Sequence, residues 1–142
     1  MGLTRHPALT AGIALGILYI FEGMFSTGIL FAVWPILGGV FAAALLKWNP
    51  AMPLTPASGA RAAAGAAVIA GLVAIIFGTP LSYWLMRRVG ESPQFFGTTF
   101  DLSPLLQLVV MYLIYSVGAG IVAAAAGALT GLLGGSRERR AH

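Results

Sequence analysis

The sequence predicts an all-α fold: a single polytopic integral membrane domain over residues 1–142, with four transmembrane helices in a bundle and both termini cytoplasmic. Three observations predict it. Four apolar stretches, 8–25, 28–46, 60–77 and 105–133, fill most of the chain, and each reaches or approaches the ~20 residues that cross a ~30 Å hydrocarbon layer. Hydrophobic residues make up 58% of the chain and charged residues 8%, against roughly 25% charged in a soluble domain. The few charges gather between the stretches, singly or in short groups, as membrane anchors do.

This composition excludes several classes of function. A net charge of +4 is spread beside apolar segments rather than in a basic patch, which argues against a nucleic-acid partner. With no cysteine, the chain has no disulfide, thiolate nucleophile, iron-sulfur cluster or cysteine-bound zinc. Histidine occurs only at His6 and His142, outside the spans, so no intramembrane imidazole is available for haem, copper or zinc, and no cofactor is expected.

Span one begins at Pro7, whose missing N–H is harmless at the first helical position, with Thr4 or His6 as a partial cap. Its apolar run continues to Phe25 without an A-x-A cleavage site, so it reads as a retained helix and not as a signal peptide. Glu22, Gly23, Ser26, Thr27 and Gly28 break the run and join spans one and two as a hairpin. Span two carries Pro35 in its interior, which predicts a kink, with Gly38 and Gly39 giving a neighbour room at the bend.

Residues 47–58, KWNPAMPLTPAS, form an interfacial loop with Trp48 as its aromatic anchor, and Ser58 is placed to cap span three. That span meets Gly78, Thr79 and Pro80, where the helix either stops or kinks and runs on to 88. Running on, it brings Tyr83 and Trp84 to headgroup level and Arg87 and Arg88 into water. Residues 89–103 form a second interfacial loop, and Ser103–Pro104 is a strong helix start. Span four, at ~1.5 Å per residue, is ~45 Å long; it either tilts and protrudes or breaks near Gly118 and Gly120.

The orientation follows from Lys and Arg. Arg5, Lys47, Arg61, Arg137, Arg139 and Arg140 fall on one side and only Arg87 and Arg88 on the other, so the first side is cytoplasmic in the cell membrane. Both hairpins then run in the same direction. GGVFAAAL from Gly38 and GAGIVAAAA from Gly118 leave an internal duplication open, on a match that composition alone can supply.

The residues that bear on function are few. Ala123, Gly127, Gly131 and Gly135 recur every four residues in span four, and Ala8, Gly12 and Gly16 do so in span one. Such faces let helix backbones touch, within the bundle, between copies, or against another membrane subunit. Glu22, within FEGMF, is either an interfacial residue, a proton or cation site, or a partner of Arg87 or Arg88. Gln107, Tyr112, Tyr115 and Ser116 either hydrogen-bond across the bundle or line a small polar cavity. Residues 136–140, SRERR, set topology and touch anionic lipid.

Catalytic constellations are missing: there is no H-E-x-x-H, G-x-S-x-G, P-loop or aspartate pair, so the protein reads as non-enzymatic. Three segments, WPILGGVFAAALL at 34–46, SGARAAAGAAVIAGL at 58–72 and GALTGLLGG at 127–135, carry a resemblance. On these the chain resembles families of small, glycine-rich, four-span membrane proteins of archaea and bacteria, which imply a four-helix bundle and bring no activity or site to transfer. The small multidrug antiporters share four short spans and a glutamate in the first. Here Glu22 lies too near the end of its span, and the glycine and aromatic pattern of their third span is missing. The leading expectation is a membrane subunit that self-associates or accompanies other membrane proteins through its small-residue faces. The rival is a small transporter or channel using Glu22 and the polar start of span four.

Overall fold

A computed structural model describes residues 6–25, 33–49, 51–90 and 103–140, with side chains for 6–21, 33–49, 51–90 and 103–134. All regular structure among them is helical: α1 Pro7–Phe25, α2 Val33–Lys47, α3 Pro56–Val73, a π-helical turn Ala74–Gly78, α4 Thr79–Val89 and α5 Pro104–Arg140. The third rod runs without interruption from Pro56 to Val89, and it and Pro104–Gly134 are long and apolar enough to cross a membrane; Pro7–Phe21 and Val33–Lys47 are apolar and shorter.

Local chemistry explains the helix starts. Pro7 opens α1 as expected, and Ser103 precedes Pro104 at the head of α5, its Oγ accepting from the Leu106 N–H at 3.4 Å. The cap of α3 is a correction. Thr55, not Ser58, is the N-cap, and Pro56 takes the first helical position. Ser58 lies three residues on and completes a capping box: its N–H donates to Thr55 Oγ1 at 3.1 Å, while the Thr55 N–H donates to Ser58 Oγ at 2.8 Å.

Three other expectations meet the backbone. Pro35 is buried, and the helix runs on from it without interruption to Lys47. At Pro80 the helix does not stop but passes through the π turn into α4. It ends after Arg87 and Arg88 at Gly90, which takes the left-handed conformation (φ 76°) and donates its N–H to the Met86 carbonyl. Finally, α5 is one unbroken helix through Gly118 and Gly120, 37 residues or ~55 Å long.

The rods alternate in direction. Gly12 of α1 lies against Ala66 and Ile69 of α3, and Gly16 against Ala70 and Val73, so α1 and α3 run parallel. On α5 the order reverses, Gly127 meeting Gly59 and Ser116 meeting Gly71. Around the bundle the neighbours are α1, α3, α5 and α2, with α2 and α3 also touching across the centre.

The core divides into two stacked halves. One is built of small residues, with Ala11, Ala42, Ala62, Ala63, Ala66, Ala67 and Ala123 closed by Leu45 and Leu46. The other holds Leu15, Tyr19, Ala70, Ala74, Tyr112, Tyr115 and Ala119, with Trp34 against it. Large apolar side chains point the other way: Ile13 and Ile17 on α1, Leu37 and Phe41 on α2, Val68 and Leu72 on α3, Val117 and Ile121 on α5 are all exposed, Ile121 by 70%. Small residues inside and bulky apolar ones outside invert the pattern of a water-soluble domain.

Candidate functional site

The small-residue faces are occupied inside the chain. A β-carbon at Gly39 would fall on the Ala123 carbonyl oxygen, and one at Gly131 on the carbonyl oxygen of Thr55. At Gly12 it would come within 2.6 Å of Ile69 Cβ, at Gly16 within 2.7 Å of Val73 Cβ, and at Gly38 within 2.6 Å of the Leu15 side chain. Ala123 is fully buried. Helix backbones therefore meet at van der Waals range, where dispersion and C–H···O contacts hold them. The side-chain surroundings of Gly135 lie outside the described residues. On α5, Gly118 has nothing within 4 Å of its β-carbon position, and Ala125, seven residues on, is exposed as well.

The tyrosine half contains a cluster of hydroxyls. Tyr112 is buried and its OH pairs with Ser82 Oγ of α4 at 2.9 Å. The Tyr115 ring packs edge-on against Tyr19 of α1, centroids 4.8 Å apart at 67°. Gly78 makes room for this arrangement, since a β-carbon there would come within 3.1 Å of Tyr112 Cζ and OH. Ser116, half-buried, donates to the Tyr112 carbonyl at 2.7 Å and so turns back on its own helix. Gln107 lies a little over a turn before Tyr112 and is half-buried. Of the four polar residues picked out in span four, Tyr112 and Tyr115 thus face the core.

The π turn supplies the other side of the cluster. Buried positions of α3 recur at Ala63, Ala66, Ala70 and Ala74, and a continuous α-helix, at about 100° per residue, would swing Thr79 and Ser82 off that stripe. A π turn takes up one extra residue, which cancels about 100° of rotation. Thr79 and Ser82 are accordingly both buried, at 4% and 3% exposure. Tyr19 OH and Thr79 Oγ1 in this half are buried without a hydrogen-bond partner among the described residues, and a buried hydroxyl left unpaired costs about 1–3 kcal/mol.

Tyr19, Thr79 and Ser82 escape sequence reasoning. The one signal for Tyr19 was a tyrosine set inside an apolar run, one turn before Glu22, where its OH needs a partner when buried. Glu22 lies in the last two turns of α1, and its side chain is outside the described residues. Among the described residues no three His, Cys, Asp or Glu side chains gather as metal ligands would.

At the far end of α4 the guanidinium carbon of Arg88 stands 4.7 Å from the Trp84 ring centroid, and that of Arg87 5.9 Å from Tyr83. Each pair is one helical turn apart, with the cation beyond the ring. Trp48 is 66% exposed where α2 ends. No protein-family model, curated protein or solved structure matches the chain.

Proposed function

We propose that the chain is a non-enzymatic, multi-pass protein of the cell membrane that crosses it four times and works as a subunit, associating with copies of itself or with another membrane protein. The observation that carries this reading is the inversion of the bundle, with alanine and glycine inside and Ile13, Ile17, Leu37, Phe41, Leu72, Val117 and Ile121 outside on every rod. Short α1 and α2 share that outward apolar surface with the two long rods, which supports four crossings over two. The glycine faces are already used between the chain's own helices, so the association surface is the outward face of α5 around Gly118, whose β-carbon position is open, and the exposed Ala125.

Crosslinking in membranes tests it. Replacing Gly118 and Ala125 with leucine should abolish the crosslinked species while leaving the fold intact, since the β-carbon position of Gly118 is open and Ala125 is exposed. Crosslinks that persist in the double variant would refute the surface, and a single-chain species under all conditions would refute self-association.

A second reading, a small transporter or channel, is favoured by the hydroxyl cluster of Tyr19, Thr79, Ser82 and Tyr112, which supplies donors and acceptors to a small polar solute in the bundle interior. Its test is flux of protons, cations and small polar solutes through proteoliposomes, with Tyr19→Phe and Glu22→Gln as variants. A flux that neither variant alters would rule out this pathway.

A further inference from the structure

A groove of about 450 Å³ runs along the outer seam between α3 and α5. We propose that it binds one phospholipid with an anionic headgroup, an acyl chain lying in the groove and the phosphate on Arg61. The proposal rests on the membrane reading above.

The groove suits a chain and little else. Small residues line it from both helices, Ala64, Ala67 and Gly71 on α3 with Gly120 and Ala124 on α5, while Leu72 and Val117 stand at its sides. Ser116 brings the one polar side chain, and its hydroxyl is committed to the Tyr112 carbonyl. The walls therefore offer apolar contact without a hydrogen bond to direct a polar ligand.

Length and charge identify the occupant. On α3 the groove extends from Ala64 to Ile75, ~17 Å at ~1.5 Å per residue, close to the ~15 Å of one leaflet's hydrocarbon. Arg61, Ala64, Val68, Leu72 and Ile75 recur at spacings of three and four, so Arg61 continues the groove's own face by one turn beyond its end. Arg61 is exposed. A leaflet-length apolar trough closed at its interfacial end by an exposed guanidinium matches an acyl chain and a phosphate, for which the guanidinium's fork of donors is suited. A helix from a second copy fills such a trough too, but has no use for the arginine at its mouth.

Native mass spectrometry of the full chain, released from micelles holding equal amounts of phosphatidylglycerol and phosphatidylcholine with the same acyl chains, tests the assignment. The wild-type chain should retain one phosphatidylglycerol. Arg61→Gln should still retain a lipid but lose about fivefold in headgroup preference, the share of one basic side chain near an anionic headgroup. Gly120→Leu should lose both lipids. Its β-carbon meets only Ala67 Cβ, at 3.6 Å, so the added side chain enters the groove instead of the backbone.

Alkaline carbonate extraction of the same membranes separates the two levels of inference. A chain that stays in the membrane but retains neither lipid, or both equally, overturns the lipid site and leaves the membrane reading standing. A dimer that Gly120→Leu splits overturns it in favour of a second copy. A chain released by carbonate overturns both.

Discussion

Gly59 of α3 and Gly127 of α5 face each other so closely that a β-carbon on either would land on the other's carbonyl oxygen. The relationship is reciprocal, which makes it the tightest crossing of the two longest rods and the point from which their register is set.

Alanine at either position should therefore destabilise the fold by about 1–3 kcal/mol or more, as overpacking does. Because both substitutions push the same two backbones apart, the double variant should cost clearly less than the sum of the single ones. Thermal unfolding in detergent reads both; simple additivity would mean that the helices do not touch at this crossing. Gly127→Leu should lose folded protein altogether, a loss of assembly that is secondary to folding.

The Ser82–Tyr112 hydrogen bond joins α4 to α5 across the tyrosine half. A double-mutant cycle with Ser82→Ala and Tyr112→Phe should give a coupling of about 0.5–1.5 kcal/mol. Zero coupling would show that the two hydroxyls do not pair.

Tyr19 offers the opposite sign. Its buried OH has no partner among the described residues, so Tyr19→Phe removes a desolvated donor while keeping the ring against Tyr115, and should leave stability unchanged or raise it by about 1 kcal/mol. A clear loss of stability would reveal a bound solute or water on that hydroxyl.

Thr55→Ala should destabilise α3 by about 0.5–2 kcal/mol, the usual worth of an N-cap. Ser58→Ala, which removes the returning half of the box, should cost less. If Ser58→Ala proves the more harmful, Ser58 and not Thr55 is the cap.

Topology can be read by reporter fusions: after Lys47 and at the C-terminus they should report cytoplasmic, and at Gly90 external. An external C-terminus would rule out four crossings with both ends inside.

Much of the helical plan was legible because apolar runs and their punctuation act locally. Pro7 and the Ser103–Pro104 pair mark helix starts that the structure keeps. The start at Ser58 misled for a local reason too: a serine followed by an alanine-rich run is a good cap, but Pro56 two residues earlier had already opened the helix. The site was less legible. The partner of a glycine is set by the crossing of two helices distant in sequence, so the stripe at Gly127 and Gly131 announced close packing without saying against what. Thr79 and Ser82 were hidden by phase, since counting 3.6 residues per turn through Ala74–Gly78 turns them outward.

The same π turn bears on how the third rod tolerates changes in length. It stores one residue of slack beside Pro80, whose missing N–H already deprives Ile76 of its usual donor. Deleting the exposed Ile76 would let the turn relax to an ordinary α turn, with Ala66 and Ala70 before it and Ser82 after it still facing inward. A deletion about two to four turns earlier, among Ala62 to Ala70, has no slack to draw on and would rotate everything below it against Gly12, Gly16 and Gly127 at once. The rod is therefore indifferent to one residue at its π turn and intolerant of the same loss a few turns away.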